Sequence, residues 1–406
     1  MLGDPHQPPV APARLPRSIA FGAVSAIFVT FMAASSVPSP LYVVYQHEWH
    51  FSASTLTAVF AVYVFGLLGA LLVVGKLSDH LGRRRVLGAA IALEGCALVL
   101  FLLAGDVTTL AAARITQGIA TGAAITTLGA ALIDLNPPHA PGRAGMINGV
   151  APIAGLAIGA LGCGALVQFA PDPTHLVYVL LLAGMLLAGV AVARMPETSA
   201  SRSGALASLR PRAAIPTRLR TDVYALVPIL VATWALGGLY LSLGPSVAAS
   251  VFDLRSHLVG GLVVTLLCGV AAVTAFLLRS WPVDRLINIA GVLLAAGMLV
   301  TLAGVQADSP ALAGVGTIVA GVGFGASSLG FFGTLARLAA PHERGELLAA
   351  AYVIAYLAFS VPALAAGFAS TAAGLRPTTL VYGVVVVALS LAALAAQRAL
   401  AARRIR

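Results

Sequence analysis

Residues 53–104 read ASTLTAVFAVYVFGLLGALLVVGKLSDHLGRRRVLGAAIALEGCALVLFLLA, and this stretch decides the architecture. Two apolar runs, 53–75 and 86–104, flank a short loop carrying Lys76, Arg83, Arg84 and Arg85. Each run is close to the roughly 20 residues that cross a hydrocarbon core as a helix. Within the loop, Gly75 permits close helix approach and Gly82 a tight turn. Asp79 stands four residues before Arg83, a spacing at which the two side chains can pair.

The same alternation continues outward in both directions. Apolar runs fall at 18–44, 53–75, 86–104, 108–133, 146–168 and 176–194. They resume at 222–251, 258–278, 287–305, 310–336, 346–370 and 378–397. Of the 406 residues, 59% are hydrophobic and 9% charged. A soluble domain carries about 25% charged residues, so most of this surface faces lipid. The expectation is an all-α integral membrane protein with twelve transmembrane helices in two pseudo-symmetric six-helix bundles. Its segments are a tail (1–17), a first bundle (18–194), a linker (195–221), a second bundle (222–397) and a tail (398–406). The first run follows Arg14 and Arg17 as a secretion signal would. It is longer than the apolar part of such a signal, and eleven similar runs follow, so it is taken as a retained span.

Arginines set the orientation. One side collects Arg14, Arg17, Lys76, Arg83, Arg84, Arg85, Arg143, Arg279, Arg285, Arg337 and Arg344. To these the linker adds Arg202, Arg210, Arg212, Arg218 and Arg220, and the tail Arg398, Arg403, Arg404 and Arg406. The opposite loops hold Arg255 and Arg376. The positive-inside rule then places both termini in the cytoplasm of a cell whose inner membrane holds the chain. The net charge of +10 is spread over these loops rather than on one face, which argues against nucleic acid as a partner. Cys96, Cys163 and Cys268 lie inside apolar runs without metal-ligand or disulfide spacing. No metal or cofactor is expected. The expected partners are the bilayer and a small-molecule substrate, with the chain working as a monomer.

The halves resemble each other. A shift of 203 positions sets Gly118 on Gly321, Gly122 on Gly325, Leu132 on Leu335, and Pro138-His139 on Pro341-His342. Equal topology in both halves suggests parallel repeats about an axis along the membrane normal.

The loop motif resembles the signature of the major facilitator superfamily, G-x-x-x-D-x-x-G-R-[RK], at Gly75, Asp79, Gly82, Arg83 and Arg84. Arg114-Ile115-Thr116-Gln117-Gly118 matches that family's R-x-x-Q-G element in span four, and Pro196-Glu197-Thr198 its short motif after span six. The resemblance implies two bundles that rock about a central site, with the loop as a cytoplasmic latch. Asp134, at the end of span four, would receive Arg83. In span five, Gly155, Gly159 and Gly164 resemble a helix-packing antiporter motif, with Ala160 in place of its proline.

Two charges lie within spans. Arg114 is costly there unless it faces a cavity or finds a partner, and the alternative is snorkelling to the interface. Glu94 is the one carboxyl deep in an expected span. With Gln117 a turn away from Arg114, these three residues are the candidates for coupling transport to a proton gradient. Span one, by contrast, contains no Asp or Glu, unlike drug exporters of the family. From spans one, four, seven and ten, the expected substrate cavity is lined by Phe31, Ser35, Ser36, Trp234, Tyr240, Phe324, Ser327 and Ser328. Such a lining suits an amphipathic or weakly anionic organic molecule.

The expected activity is proton-coupled export of drugs or small organic metabolites. An uptake carrier or facilitator for a small organic solute is the alternative. A multispan membrane enzyme would instead show acids or histidines clustered at one membrane face. A non-transporting sensor would be expected to carry an added soluble domain.

Overall fold

Inside a bilayer no water is available to an unpaired backbone N–H or C=O, so each crossing segment closes its hydrogen bonds within a helix. The computed structural model describes residues 14–75, 77–140, 142–199, 203–205, 209, 213–254, 256–340 and 343–405. Among them, twelve helices are long and apolar enough to cross a membrane. Spans one to six are Arg17–Trp49, Ala53–Val74, Arg83–Leu102, Val107–Asp134, Arg143–Phe169 and Thr174–Arg194. Spans seven to twelve are Thr217–Ser242, His257–Leu277, Val283–Gln306, Pro310–Leu338, Gly345–Ala373 and Leu375–Ala399. Two ends differ from expectation. Span one runs on to Trp49, and the helix of span twelve continues through the expected tail to Ile405. The expectations placed on Lys76, Arg202, Arg210, Arg212, Arg255, Arg406 and Pro341-His342 lie outside the described residues, as do the side chains of Arg344, Arg403 and Arg404.

The first helix of each half is broken, and proline is the cause. Span one consists of Arg17–Ser36 and Pro38–Trp49. Span seven ends at Ser242 and is continued by Gly244–Ser250, with Pro245 in its first turn. A proline has no N–H to offer the carbonyl four residues back. Pro38 therefore strands the carbonyl of Ala34, and Pro245 that of Leu241. Both find donors elsewhere: Gln117 Nε2 at 3.1 Å from the Ala34 oxygen, and Ser39 Oγ at 2.5 Å from that of Leu241.

Burial separates central from peripheral spans. In spans four and seven, 61% and 72% of the most apolar window is buried, against 28% and 33% in spans six and twelve. The outer helices turn Leu186, Leu187, Val381 and Val384 outward, where lipid would cover them. Glycines let the inner helices approach. A Cβ on Gly118 would stand 2.1 Å from the Tyr63 carbonyl, and one on Gly325 2.3 Å from that of Ala271. Gly118 and Gly122 pack span four on span two; Gly321 and Gly325 pack span ten on span eight. Positions related by 203 residues thus make corresponding contacts.

The described polar contacts between the halves cluster at the face opposite the termini. Span five meets span eight there: Gly164 abuts Gly261, Gln168 Oε1 accepts from His257 N at 3.0 Å, and Thr265 donates to Ala157 at 3.0 Å. Span two meets span eleven through Ser54 N donating to Thr371 and through Phe60 on Phe359, ring centres 5.1 Å apart. Ser39 on Leu241 and Ser246 on Gln46 join the two broken helices. The two halves are joined on that face.

Candidate functional site

Arg114 is 2% exposed and does not snorkel. Its guanidinium lies over the Tyr63 ring at 4.1 Å and within 5.9 Å of the Tyr42 ring, so aromatic faces replace part of its hydration. Nη1 donates to the Ser35 carbonyl at 3.2 Å and to Gln117 Oε1 at 2.6 Å. Gln117 is thereby oriented, since its carbonyl faces a cation that can only donate. Its amide group gives one hydrogen bond to the Ala34 carbonyl at 3.1 Å and another to Glu94 Oε1 at 3.1 Å. Glu94 and Gln117 are both fully buried. Glu94 Oε2, Arg114 Nε and the Tyr42 hydroxyl have no hydrogen-bond partner among the described residues.

Spans three and four are thus wired, through one glutamine, to the carbonyl that the break in span one leaves free. The two charges make no direct ion pair; Gln117 stands between them. Ser35 belongs to the same cluster, its hydroxyl 3.4 Å from that of Thr121.

The basic loop forms a second cluster on the side of the termini. Arg83 lies between Asp79 at 2.5 Å and Asp134 at 3.1 Å, and donates to Ser78 at 2.6 Å. Gly82, at φ 96°, turns the chain into span three, where a Cβ would meet Glu197 at 2.7 Å. The Glu197 carboxylate accepts the backbone N–H groups of Arg83 and Arg84 at 2.8 and 3.2 Å. It caps span three, a position where a negative charge also meets the helix dipole. Thr198 donates to Asp134 at 3.0 Å, and Arg84 reaches the last carbonyls of span six at Val192 and Ala193. Gly75 lies against the Leu71 carbonyl and close to Thr126 of span four. All these partners belong to the first bundle or to the start of the linker that follows it. In this conformation the loop clamps spans three, four and six to one another.

The residues grouped as a cavity lining separate into three places. Trp234 packs edge-on against Tyr356 at 4.9 Å and Phe359 at 5.8 Å, and Phe324 lies against Gly237 beside Phe359. Ser327 faces Thr233 at 2.6 Å, and Ser328 bonds back to Phe324 in its own helix. Phe31 and Ser36 are wholly buried, and Ser36 is pressed against Gly159 of span five. Gly155 serves the same packing, while Gly164 turns to the other half. Tyr240 reaches spans nine and ten, where its hydroxyl meets Thr317 at 2.8 Å and Thr301 at 3.5 Å. The reading by span number omitted Tyr352, Tyr356 and Phe359 of span eleven, whose rings continue the aromatic cluster. Their spacing of four and three residues on one helical face was the available signal. Among the described residues no group of three or more His, Cys, Asp or Glu could hold a metal ion.

The family profile described as Major Facilitator Superfamily matches residues 20–363. A stretch of 98 residues, 24% of this chain, is 35% identical to the MFS-type transporter EfpA of Mycobacterium tuberculosis, and spans 18% of that protein's length. Solved structures share the fold over almost the whole chain at low identity. A bacterial homolog of the human lysosomal transporter Spinster, in an inward-facing and unoccupied conformation, gives a TM-score of 0.71 at 14% identity, covering 94% of this chain and 97% of its own. The inward-open xylose transporter XylE from E. coli gives 0.71 at 14%, covering 93% and 95%. The human organic anion transporter MFSD10 gives 0.65 at 17%, covering 94% and 100%.

Proposed function

The chain belongs to the Major Facilitator Superfamily, and on that footing we propose that it is a proton-coupled exporter of a small amphipathic organic molecule, working by alternating access. The observation that carries the coupling is the chain Glu94–Gln117–Arg114–Ser35. It joins the deep carboxyl to the proline break of span one.

Arg114 keeps its charge. With Glu94 ionised, the pair sums to zero; with Glu94 protonated on the unpartnered Oε2, the positive charge beside the break stands alone. In a membrane interior that difference is expensive. It therefore favours different positions of span one in the two protonation states, which is what coupling a proton to a rocking motion requires. The aromatic rings of Trp234, Phe324, Tyr352 and Tyr356 support an amphipathic cargo, and the small-residue packing of span five supports export.

In this reading both termini face the cytoplasm of a cell whose inner membrane holds the chain, and the face where the halves are joined is external. The conformation is then inward-facing, and one chain is the working unit. Uptake into proteoliposomes with an imposed pH gradient tests the proposal, using fluorescein, chloramphenicol and ethidium as anionic, neutral and cationic probes. Flux of at least one probe that the gradient accelerates is expected. Flux indifferent to the gradient would make the protein a facilitator and remove the coupling.

A further inference from the structure

A cavity of about 200 Å³ lies behind the break of span seven, with a lining drawn from the second half. Its walls come from spans seven to ten, the short helix Gly244–Ser250 and Thr379 of span twelve. Most of the lining is apolar, with Leu239, Val263, Leu266 and Met298 as examples. Pro310 at the rim is exposed, and Val259, Leu262 and Leu266 are half-buried. The more exposed part of the lining is therefore at the starts of spans eight and ten, beside Phe252 and Leu254 of the loop before span eight.

The few polar groups fix what the cavity can bind. Thr317 donates its hydroxyl proton to Ala313 at 2.9 Å, Thr301 to Gly297 at 3.0 Å and Thr379 to Leu375 at 2.8 Å. With the threonine protons committed, the 2.8 Å contact between Tyr240 and Thr317 must be donated by Tyr240. Every hydroxyl proton in the lining is then spent, and the Tyr240 oxygen keeps a lone pair. The cavity offers acceptors and no donor. In size it exceeds an apolar cavity of about 150 Å³ that holds benzene.

We propose that this cavity is a binding site, separate from the central one, for a neutral ring-sized apolar molecule bearing a single hydrogen-bond donor, which it gives to Tyr240. A carboxylate is excluded because it would face acceptors only. A bare hydrocarbon is disfavoured because it leaves the buried Tyr240 oxygen unmatched, where a donor would satisfy it. The inference does not depend on proton coupling or on export.

The test compares thymol with p-cymene, the same skeleton without the hydroxyl, on the full-length protein in lipid nanodiscs. Binding is read by equilibrium dialysis against nanodiscs carrying Gly314→Phe. A Cβ at Gly314, in the cavity wall, meets no atom within 4 Å, so the substitution starts from open space. Saturable binding of thymol to the wild type is expected, about tenfold tighter than p-cymene, the worth of one hydrogen bond. Gly314→Phe abolishes it for both. The double variant Tyr240→Phe/Thr317→Val, which removes the proposed acceptor and the hydroxyl it bonds, binds the two compounds alike. Thymol retention equal in wild type and Gly314→Phe would mean partition into the bilayer only and overturn the site. Equal wild-type affinity for the two compounds would overturn the donor requirement. Absence of saturable thymol binding, as when a lipid chain already fills the cavity, would overturn the proposal itself.

Discussion

Glu94, Arg114 and Gln117 in the first half correspond, 203 residues on, to Gly297, Thr317 and Ala320 in the second. The contacts correspond too. Gln117 touches Glu94 at 3.1 Å, and a Cβ on Gly297 would stand 2.3 Å from the Ala320 backbone. One half thus fills a position with a charged relay, and the other closes it by direct backbone approach. The hydroxyls of Tyr240, Thr301 and Thr317 lie beside a cavity there. A repeated scaffold need not have repeated chemistry. Two copies of one helix arrangement hold a fixed cation in one bundle and an uncharged crevice in the other.

The comparison breaks most severely at the bridge. Gln117→Leu strands Arg114, Glu94 and the Ala34 carbonyl together, and removing one partner of a buried polar set costs about 3 kcal/mol or more. A large fall in thermal stability is expected in detergent. Glu94→Leu and Arg114→Met added to Gln117→Leu remove the stranded charges and recover part of the loss. A triple variant less stable than the single one would show that the relay does not act as a unit.

The clamp gives the next effect. Arg83→Ala releases Asp79 and Asp134, and a loss of about 1–2 kcal/mol follows from the partly buried geometry. Cysteine labelling should find the ends of spans three and four more accessible. A change at Thr317, the second-half counterpart of Arg114, is milder: Thr317→Val costs about 1 kcal/mol, because Tyr240 loses its nearer acceptor while Thr301 remains at 3.5 Å.

The smallest effect lies at the caps. Asp106 and Ser309 occupy equivalent places, each accepting from the backbone N–H three residues on in spans four and ten. The bond from Thr109 N holds the Asp106 carboxyl below its ordinary range. A carboxyl lowered by folding contributes stability that is present above its unfolded pKa and is lost as pH falls through the folded value. Asp106→Ser should therefore lower the Tm slightly at neutral pH. That difference should vanish in acid, where Asp106 is protonated.

Much of this was legible in the sequence, for identifiable reasons. The spans are written in composition, because lipid admits few charges and the helix sets the length. Asp79, Arg83 and Asp134 were readable as one cluster because two of them are four residues apart and the third ends a span on the same side. The role of Gln117 was half legible: Pro38 announces a stranded carbonyl at Ala34, but which side chain reaches it depends on how spans one and four are packed. That Tyr240 faces spans nine and ten was not legible, because span number does not give rotation about the helix axis. The aromatic face of span eleven was missed because the lining was sought on four spans alone.

Proton coupling through Glu94 is the central claim. The direct measurement uses proteoliposomes with a pH dye inside, recording proton movement together with the transported probe in wild type and Glu94→Gln. The account predicts that Glu94→Gln retains probe exchange at equal pH but loses both the proton signal and acceleration by a gradient. A Glu94→Gln protein still driven by the gradient, with proton movement at the wild-type rate, would contradict it.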